Sequence, residues 1–401
     1  MISVRPLAVI LLLNVVPPAQ AAPTPGSAGC GQPGQWLIPP AAGAGPAASP
    51  VAATELLDQL ARKHVVLLGE NHDSAADHRW QLDVLTALHE RHPELAIGFE
   101  MFPRRLQGVL DRWVAGQLSE ADFLRQAEWD QVWRLDAQLY LPLFRFARQH
   151  RLPMLALNVE RGLVNQVRAS GWEGVAETQR EGVGRPAEPS PPYRAELQAV
   201  FDEHPELQDG DAATRFARFV EAQTVWDRAM AEAIARFRRE HPATLVVGIL
   251  GAGHVRHGHG VPHQLKALGT DRIAHLVTLP SDRPCAELTP GLAEAVYVVP
   301  PRPEPTPPRL GVSLKDVAGG VMIEAVMPGS LAQRSGLRNG DIIVQAAGST
   351  VSSAEDVRGH VQRQPAGTSL PLLIQRAGWN LEIVVRFPAD PDVAHPKPGI
   401  R

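Results

Sequence analysis

Cysteine is almost missing from this chain: two residues, Cys30 and Cys285, among 401. Neither belongs to a C-x-x-C pair, so a cysteine-built zinc ribbon is excluded. Whether the two bond to each other or stand as separate thiols is left open by sequence. A dominant charge is missing too: Lys and Arg total 39 against 43 Asp and Glu, a net charge of −4. A nucleic-acid-binding domain is usually basic, so no nucleic-acid partner is expected. Lysine is scarce, 4 residues against 35 arginines; no arginine cluster stands out, so this reads as a bias of composition. Aromatic residues make up only 5%, with three tyrosines, Tyr140, Tyr193 and Tyr297. No repeat of solenoid or propeller length is present.

What the chain holds is enough apolar material for a core, 44% hydrophobic against 20% charged residues. Its length suggests two domains, and its 37 prolines mark their limits. Arg5, an apolar run from Leu7 to Val16 and the small-residue site Ala19-Gln20-Ala21 read as a cleavable export signal over 1–21. The run is too short to span a bilayer, so a periplasmic or otherwise extracytoplasmic location is expected. A lipid anchor at Cys30 fits less well, because Ser27 stands where an aliphatic residue is wanted and the apolar run ends far upstream. Residues 22–50, rich in Ala, Gly and Pro, are expected as a linker. Residues 300–308 hold six prolines and predict a stiff spacer. These limits leave a large domain over 51–299, a small one over 309–389 and a Pro-rich tail over 390–401.

The large domain alternates strand and helix signals, which predicts an α/β fold: a mainly parallel sheet with flanking helices. Apolar runs at 64–68, 95–99, 154–157, 244–250, 273–279 and 293–299 are the strands. Helical tracts over 104–150 and 194–240 interrupt the alternation and predict an inserted cap over the carboxyl edge of the sheet. Ligands of open parallel sheets bind beyond that edge. The polar residues there are Glu70 and His72 after the first strand, Glu100 after the second, Asn158 and Arg161 after the third, and His254 after the fourth. All six are expected on one rim, as candidates for catalysis. Two carboxylates and two imidazoles, Glu70, His72, Glu100 and His254, can divide acid and base duties or hold a divalent metal. Arg161 can offer a planar fork to a carboxylate. The alternative is that these residues are structural polar pairs closing the strand ends. His257, His259 and His263 crowd after His254; a metal-loading loop is one reading, and a solvated His-rich loop is preferred.

Gly69-Glu70-Asn71-His72, Gly98-Phe99-Glu100-Met101-Phe102 and Gly251-Ala252-Gly253-His254 resemble the ChaN-like haem-binding uptake proteins of the Tiki/TraB/erythromycin-esterase superfamily. The tract from Leu141 to Asn158 and Pro192-Tyr193-Arg194 add to the likeness, which covers nearly all of 51–299. The resemblance implies an exported protein of haem or iron handling, with haem as cofactor and ligand. Other branches of the superfamily are metal-dependent proteases or esterases, whose working groups match Glu70, His72, Glu100 and His254. A haem iron takes Tyr or His, and Tyr193, expected exposed in the cap, is the candidate ligand. No C-x-x-C-H is present, which excludes covalent c-type attachment.

In the small domain, Pro328-Gly329-Ser330, Ala332, Gly336-Leu337 and Gly340-Asp341-Ile342-Ile343 are similar to a PDZ domain of the bacterial protease-associated type. The likeness implies a small, mostly β domain that binds peptides. Arg309, Leu310, Gly311 and Val312 would capture a protein C-terminus, and Val357, His360 and Val361 would line the facing groove. A PDZ fold used only as a structural cap is the alternative. Three functions stay open: a haem or iron handler docked through its PDZ module, a metal-dependent hydrolase and a pure interaction protein. The oligomeric state, a homodimer among the options, is not set by sequence.

Overall fold

The computed structural model describes residues 30–41, 43, 48–203, 211–301, 309–362, 364 and 368–387. The export signal expected at 1–21, most of the spacer at 300–308 and the tail at 390–401 lie outside the described residues. The chain divides into two units, one ending at Arg302 and one beginning at Pro303.

The first unit is built on one sheet of β1 (Trp36–Ile38), β2 (Ser49–Val51), β3 (Val65–Glu70), β4 (Leu95–Pro103), β5 (Met154–Asn158), β6 (Leu245–Gly251), β7 (Ile273–Pro280) and β8 (Ala295–Val299). Their order across the sheet is β2-β1-β8-β7-β3-β6-β4-β5. From β8 to β5 every pairing is parallel, as the alternation predicts. Helices α1 (Ala53–Leu60), α2 (Ala75–Arg91), α3 (Gln107–Val114), α4 (Glu120–Gln126), α5 (Trp129–Val132), α6 (Ala137–Gln149), α7 (Arg161–Ser170), α8 (Pro191–Asp202), α9 (Ala212–Glu240) and α10 (Val261–Ala267) surround it. Successive strand side chains point to opposite faces, so β3 serves two cores. Val66 and Leu68 pack with Trp80 and Leu85 of α2 and Phe144 of α6. Val65 and Leu67 pack with Met230 and Ile234 of α9 and Leu265 of α10. Helices on both faces explain why β3 is a continuous apolar run rather than an alternation.

One expectation needs correction. The described end of the 22–50 segment is not a linker. Trp36–Ile38 joins the sheet antiparallel to β8, and Trp36 and Leu37 are buried. Cys30 is bonded to Cys285, which fastens this arm to the segment between β7 and β8. An apolar triplet inside an Ala, Gly and Pro background is too short to show by composition; the free edge of β8 gives it hydrogen-bond partners. The tract 104–150 is helical, as expected. It breaks into α3 to α6, with Glu128 and Arg134 in the left-handed region at two breaks (φ +50° and +68°). Ser119 caps the start of α4, its hydroxyl accepting the Asp122 backbone N–H.

The second unit is an antiparallel sheet of β9 (Val312–Val317), β10 (Gly320–Val326), β11 (Ile342–Ala346), β12 (Ser349–Thr350), β13 (Ser369–Arg376) and β14 (Trp379–Arg386). The order is β14-β13-β11-β10-β9, with β12 on β11. Helices α11 (Leu331–Arg334) and α12 (Ala354–Gln362) close a core of Leu310, Ile323, Ala332, Ile343, Val357 and Leu372. Asp341 is buried and held by Arg376 through two hydrogen bonds of 2.7 Å, a bidentate pairing that fixes β11 to β13.

Candidate functional site

Strands β3, β6, β4 and β5 are consecutive neighbours, so their carboxyl ends lie side by side. This places Glu70, the 251–254 turn, Glu100 and Asn158 on one edge. Glu70, His72, Glu100, Asn158 and His254 are all buried. They form two linked networks rather than an open rim.

The first network surrounds Glu70. His72 Nδ1 lies 2.9 Å from Glu70 Oε1, and the Tyr140 hydroxyl donates to the same oxygen at 2.7 Å. Gln81 Nε2 donates to Oε2 at 2.8 Å, with His78 Nδ1 3.3 Å away. Burial pushes the Glu70 carboxyl up, but the charge of His78 and the His72 contact outweigh it and hold the pKa below the usual value. Burial pushes His72 down, and the Glu70 hydrogen bond and the Glu100 charge raise it above the usual imidazole value.

The second network runs through His254. Its Nδ1 lies 2.6 Å from Asp227 Oδ1 and its Nε2 3.5 Å from Glu100 Oε1. Glu100 Oε2 accepts the Gly251 backbone N–H at 2.6 Å. Burial opposes charge on His254, yet Glu100 and Asp227 raise its pKa to about 10. Burial pushes Glu100 up, and His254 brings it down to about 2. Asp227 is raised, burial outweighing its bond to His254. An imidazole between two buried carboxylates can hold a proton and pass it in either direction.

The networks meet at Gly251. A Cβ there would stand 2.8 Å from His72 Cε1, 2.9 Å from its Nε2 and 3.6 Å from Glu100 Oε2. Only a glycine lets the imidazole and this carboxylate approach the same stretch of backbone. Asn158 shapes the edge, its side chain donating to the Glu100 carbonyl at 2.9 Å and accepting the Val159 N–H at 2.8 Å.

Two of the expected residues do not stand as expected. Arg161, at the start of α7, is exposed and donates to the Val132 carbonyl at 3.0 Å. Among the described residues it makes no fork to a carboxylate, because the start of α7 carries it outward from the strand end. Tyr193 is not exposed. It is 2% accessible, packs with Leu197, Phe201, Phe216 and Phe219 in the core of the cap, and donates its hydroxyl to Asp227 Oδ2 at 2.8 Å. Burial and the Asp227 charge raise its pKa well above the usual value. As a set for one metal, Glu70, His72, Glu100 and His254 are spent on one another: both oxygens of Glu70 already serve donors, and His254 is clasped between Asp227 and Glu100.

Asp227, Tyr140, Gln81 and His78 belong to the site and were missed. Each sits on the buried stripe of a helix. A polar residue at a position whose helical neighbours are apolar is the available signal.

In the second unit, Leu310 is buried and Gly311 is left-handed (φ +75°), where an added Cβ would stand 2.4 Å from Ser330 Cβ. Arg309 is exposed, and β9, beginning at Val312, pairs only with β10 among the described residues. One edge of β9 is therefore free to accept another strand. Val357 and Val361 are buried in the domain core, so His360, half-buried, is the one of the three expected α12 residues that is partly open to solvent.

Comparison with known proteins agrees with this architecture. Residues 322–376 match the PDZ domain family. A "Putative zinc metalloprotease RSc1411" of Ralstonia nicotianae is 38% identical over 86 residues, which span 21% of this chain and 18% of that protein. The HtrA3 PDZ domain bound to a phage-derived ligand (FGRWV) is 23% identical, covers 20% of this chain and 82% of its own, with a TM-score of 0.18. The structure of cofacial heme binding to ChaN of Campylobacter jejuni has a TM-score of 0.51 at 16% identity, covering 65% of this chain and 96% of that one. Residues 56–265 match the family described as haem-binding uptake, Tiki superfamily, ChaN, and the chain belongs to that family, with a PDZ domain after its haem-binding domain.

Proposed function

We propose that this chain is an exported haem handler of iron acquisition, and that its PDZ domain docks it to a partner. The match of 56–265 to the haem-binding uptake family carries the reading. The likeness of the first unit to a ChaN fold whose reported ligand is haem supports it. The apolar leader and the Cys30–Cys285 bond support export, since such bonds persist in oxidising compartments. Tyr193 does not fit as an open iron ligand: its hydroxyl is bonded to Asp227, and its raised pKa opposes the tyrosinate form. Iron ligation through it requires the cap to open at Asp227. Titration of the full chain with haemin should give a Soret band, and Tyr193→Phe should keep it. No band in the parent protein would end the haem reading.

For the PDZ domain, an incoming C-terminal carboxylate meets the backbone at Leu310 to Val312, and its peptide adds a strand to β9. A fluorescent peptide with a free apolar C-terminus should bind the full chain, and its amidated form should not. Equal binding of the two would remove the carboxylate from the recognition.

A metal-dependent hydrolase is favoured by one observation, the gathering of Glu70, His72, Glu100 and His254 at one edge. Hydrolysis of peptide or ester substrates that is lost with chelator and with His72→Ala would establish it.

A further inference from the structure

Glu196 of α8 and two imidazoles that follow β6 make a separate cluster outside the buried networks. His257 Nδ1 lies 2.7 Å from Glu196 Oε1, and His259 Nδ1 lies 3.3 Å from Glu196 Oε2. One ligand atom from each of the three residues falls within 4.8 Å of the others, the one such group of three among the described residues. Ligands at about 2.0–2.1 Å from a tetrahedral ion stand roughly 3.3 Å apart. The cluster needs only a small side-chain movement to reach that spacing.

Three further observations point to a ligand. Both Nδ1 atoms are shielded from solvent, yet neither makes an aligned hydrogen bond. Close approach without alignment is expected of groups that converge on a common point rather than on one another. His257 Nε2 contacts Thr289 Oγ1 at 2.9 Å. A ring N–H given to that hydroxyl leaves Nδ1 as the bare nitrogen, the outer contact that fixes the tautomer of a ligating histidine. Finally, His257 holds a left-handed backbone (φ +54°). Such a conformation in a non-glycine residue persists when its surroundings impose it. The three side chains are half-buried, so the cluster lies near the surface. His263, the other histidine of the loop, is engaged with the Glu188 carbonyl at 2.8 Å and takes no part.

We propose that Glu196, His257 and His259 bind a zinc-like divalent cation through one carboxylate and two imidazole Nδ1 atoms. Two histidines and one carboxylate suit borderline cations, and three protein ligands leave a position for water or a small anion. Glu196 stands one turn after Tyr193 on the cap helix, and His257 and His259 follow the turn that carries His254. The bound ion would tie α8 to the segment that follows His254. The site is independent of the haem reading and does not use the Glu70 and Glu100 networks.

The test is titration of the untagged full chain, stripped of metal, with Co2+ as a visible probe, followed by displacement with Zn2+. One equivalent of Co2+ should give ligand-field absorption that Zn2+ abolishes. Glu196→Gln and His257→Ala should weaken Zn2+ by more than about 100-fold, and Thr289→Val by about 10–100-fold. His263→Ala should leave the spectrum unchanged. Near-UV circular dichroism of each variant establishes that it is folded, and Glu196→Gln keeps the shape of the side chain. No one-equivalent binding in the parent chain, a signal that survives His257→Ala combined with His259→Ala, or a signal lost in His263→Ala would overturn the proposal.

Discussion

The two candidate sites are built by opposite means. In the first, chemistry sits in side chains more than 180 residues apart in sequence, from Glu70 to His254, and every charge is enclosed and matched. In the second, the candidate surface is contiguous, an exposed Arg309, a glycine turn and the free edge of β9. A site made of buried charges depends on each member, because removing one strands another without water. A site made of backbone depends on the turn that shapes it and tolerates change in the side chains around it. Damage to the first site should therefore appear as lost stability, and damage to the second as lost binding.

The strongest way to break that contrast is Glu100→Ala, which leaves the His254 charge in the interior with one partner. It should lower the stability of the first unit by about 3–5 kcal/mol, read as an earlier transition in urea. The unfolding of the second unit should not move. Next, Cys30→Ser removes a bond between residues 255 positions apart. The expected loss is about 2–5 kcal/mol, and a reductant should reproduce it in the parent chain but add nothing to the variant. Gly251→Ala tests the meeting of the two networks. The added methyl runs into His72, and overpacking of this kind costs about 1–3 kcal/mol; an unchanged urea midpoint would mean that the imidazole moves freely.

The same contrast can be read in the pH profile. His254 is raised to about 10, so its contribution is complete below its unfolded value of 6.5 and is lost as pH climbs through about 10. Glu100 is lowered to about 2, so its contribution is complete above 4.5 and is lost as pH falls through about 2. The first unit should hold a flat urea midpoint between about pH 5 and 6 and weaken on either side. A midpoint that rises between pH 7 and 10 would contradict the charged form of His254.

Legibility in the sequence follows the same divide. The strands were readable because parallel strands buried on both faces are unbroken apolar runs, as at Val65 to Leu68. Glu70, His72, Glu100, Asn158 and His254 were readable because a strand end is visible in sequence and the carboxyl edge is where polar groups collect. Arg161 looked identical by that rule, yet the first turn of α7 points it outward. Asp227 and Tyr140 were invisible because helix spacing shows that a position is buried but not which strand end it faces. Tyr193 misled because Ser190, Pro191 and Pro192 mark a helix entry, and whether such an entry is exposed depends on α9 packing over it. β1 was hidden by its length of three residues.

The bond from Cys30 to Cys285 also imposes an order of assembly. Its second sulfur is made 255 residues after the first, when nearly all of the parallel strands have already been synthesised. Until then the arm bearing Trp36 has neither its covalent latch nor the β8 edge it pairs with. The earliest part of this domain is thus the last to be secured, and a chain truncated before Cys285 would leave its beginning as loose as its end.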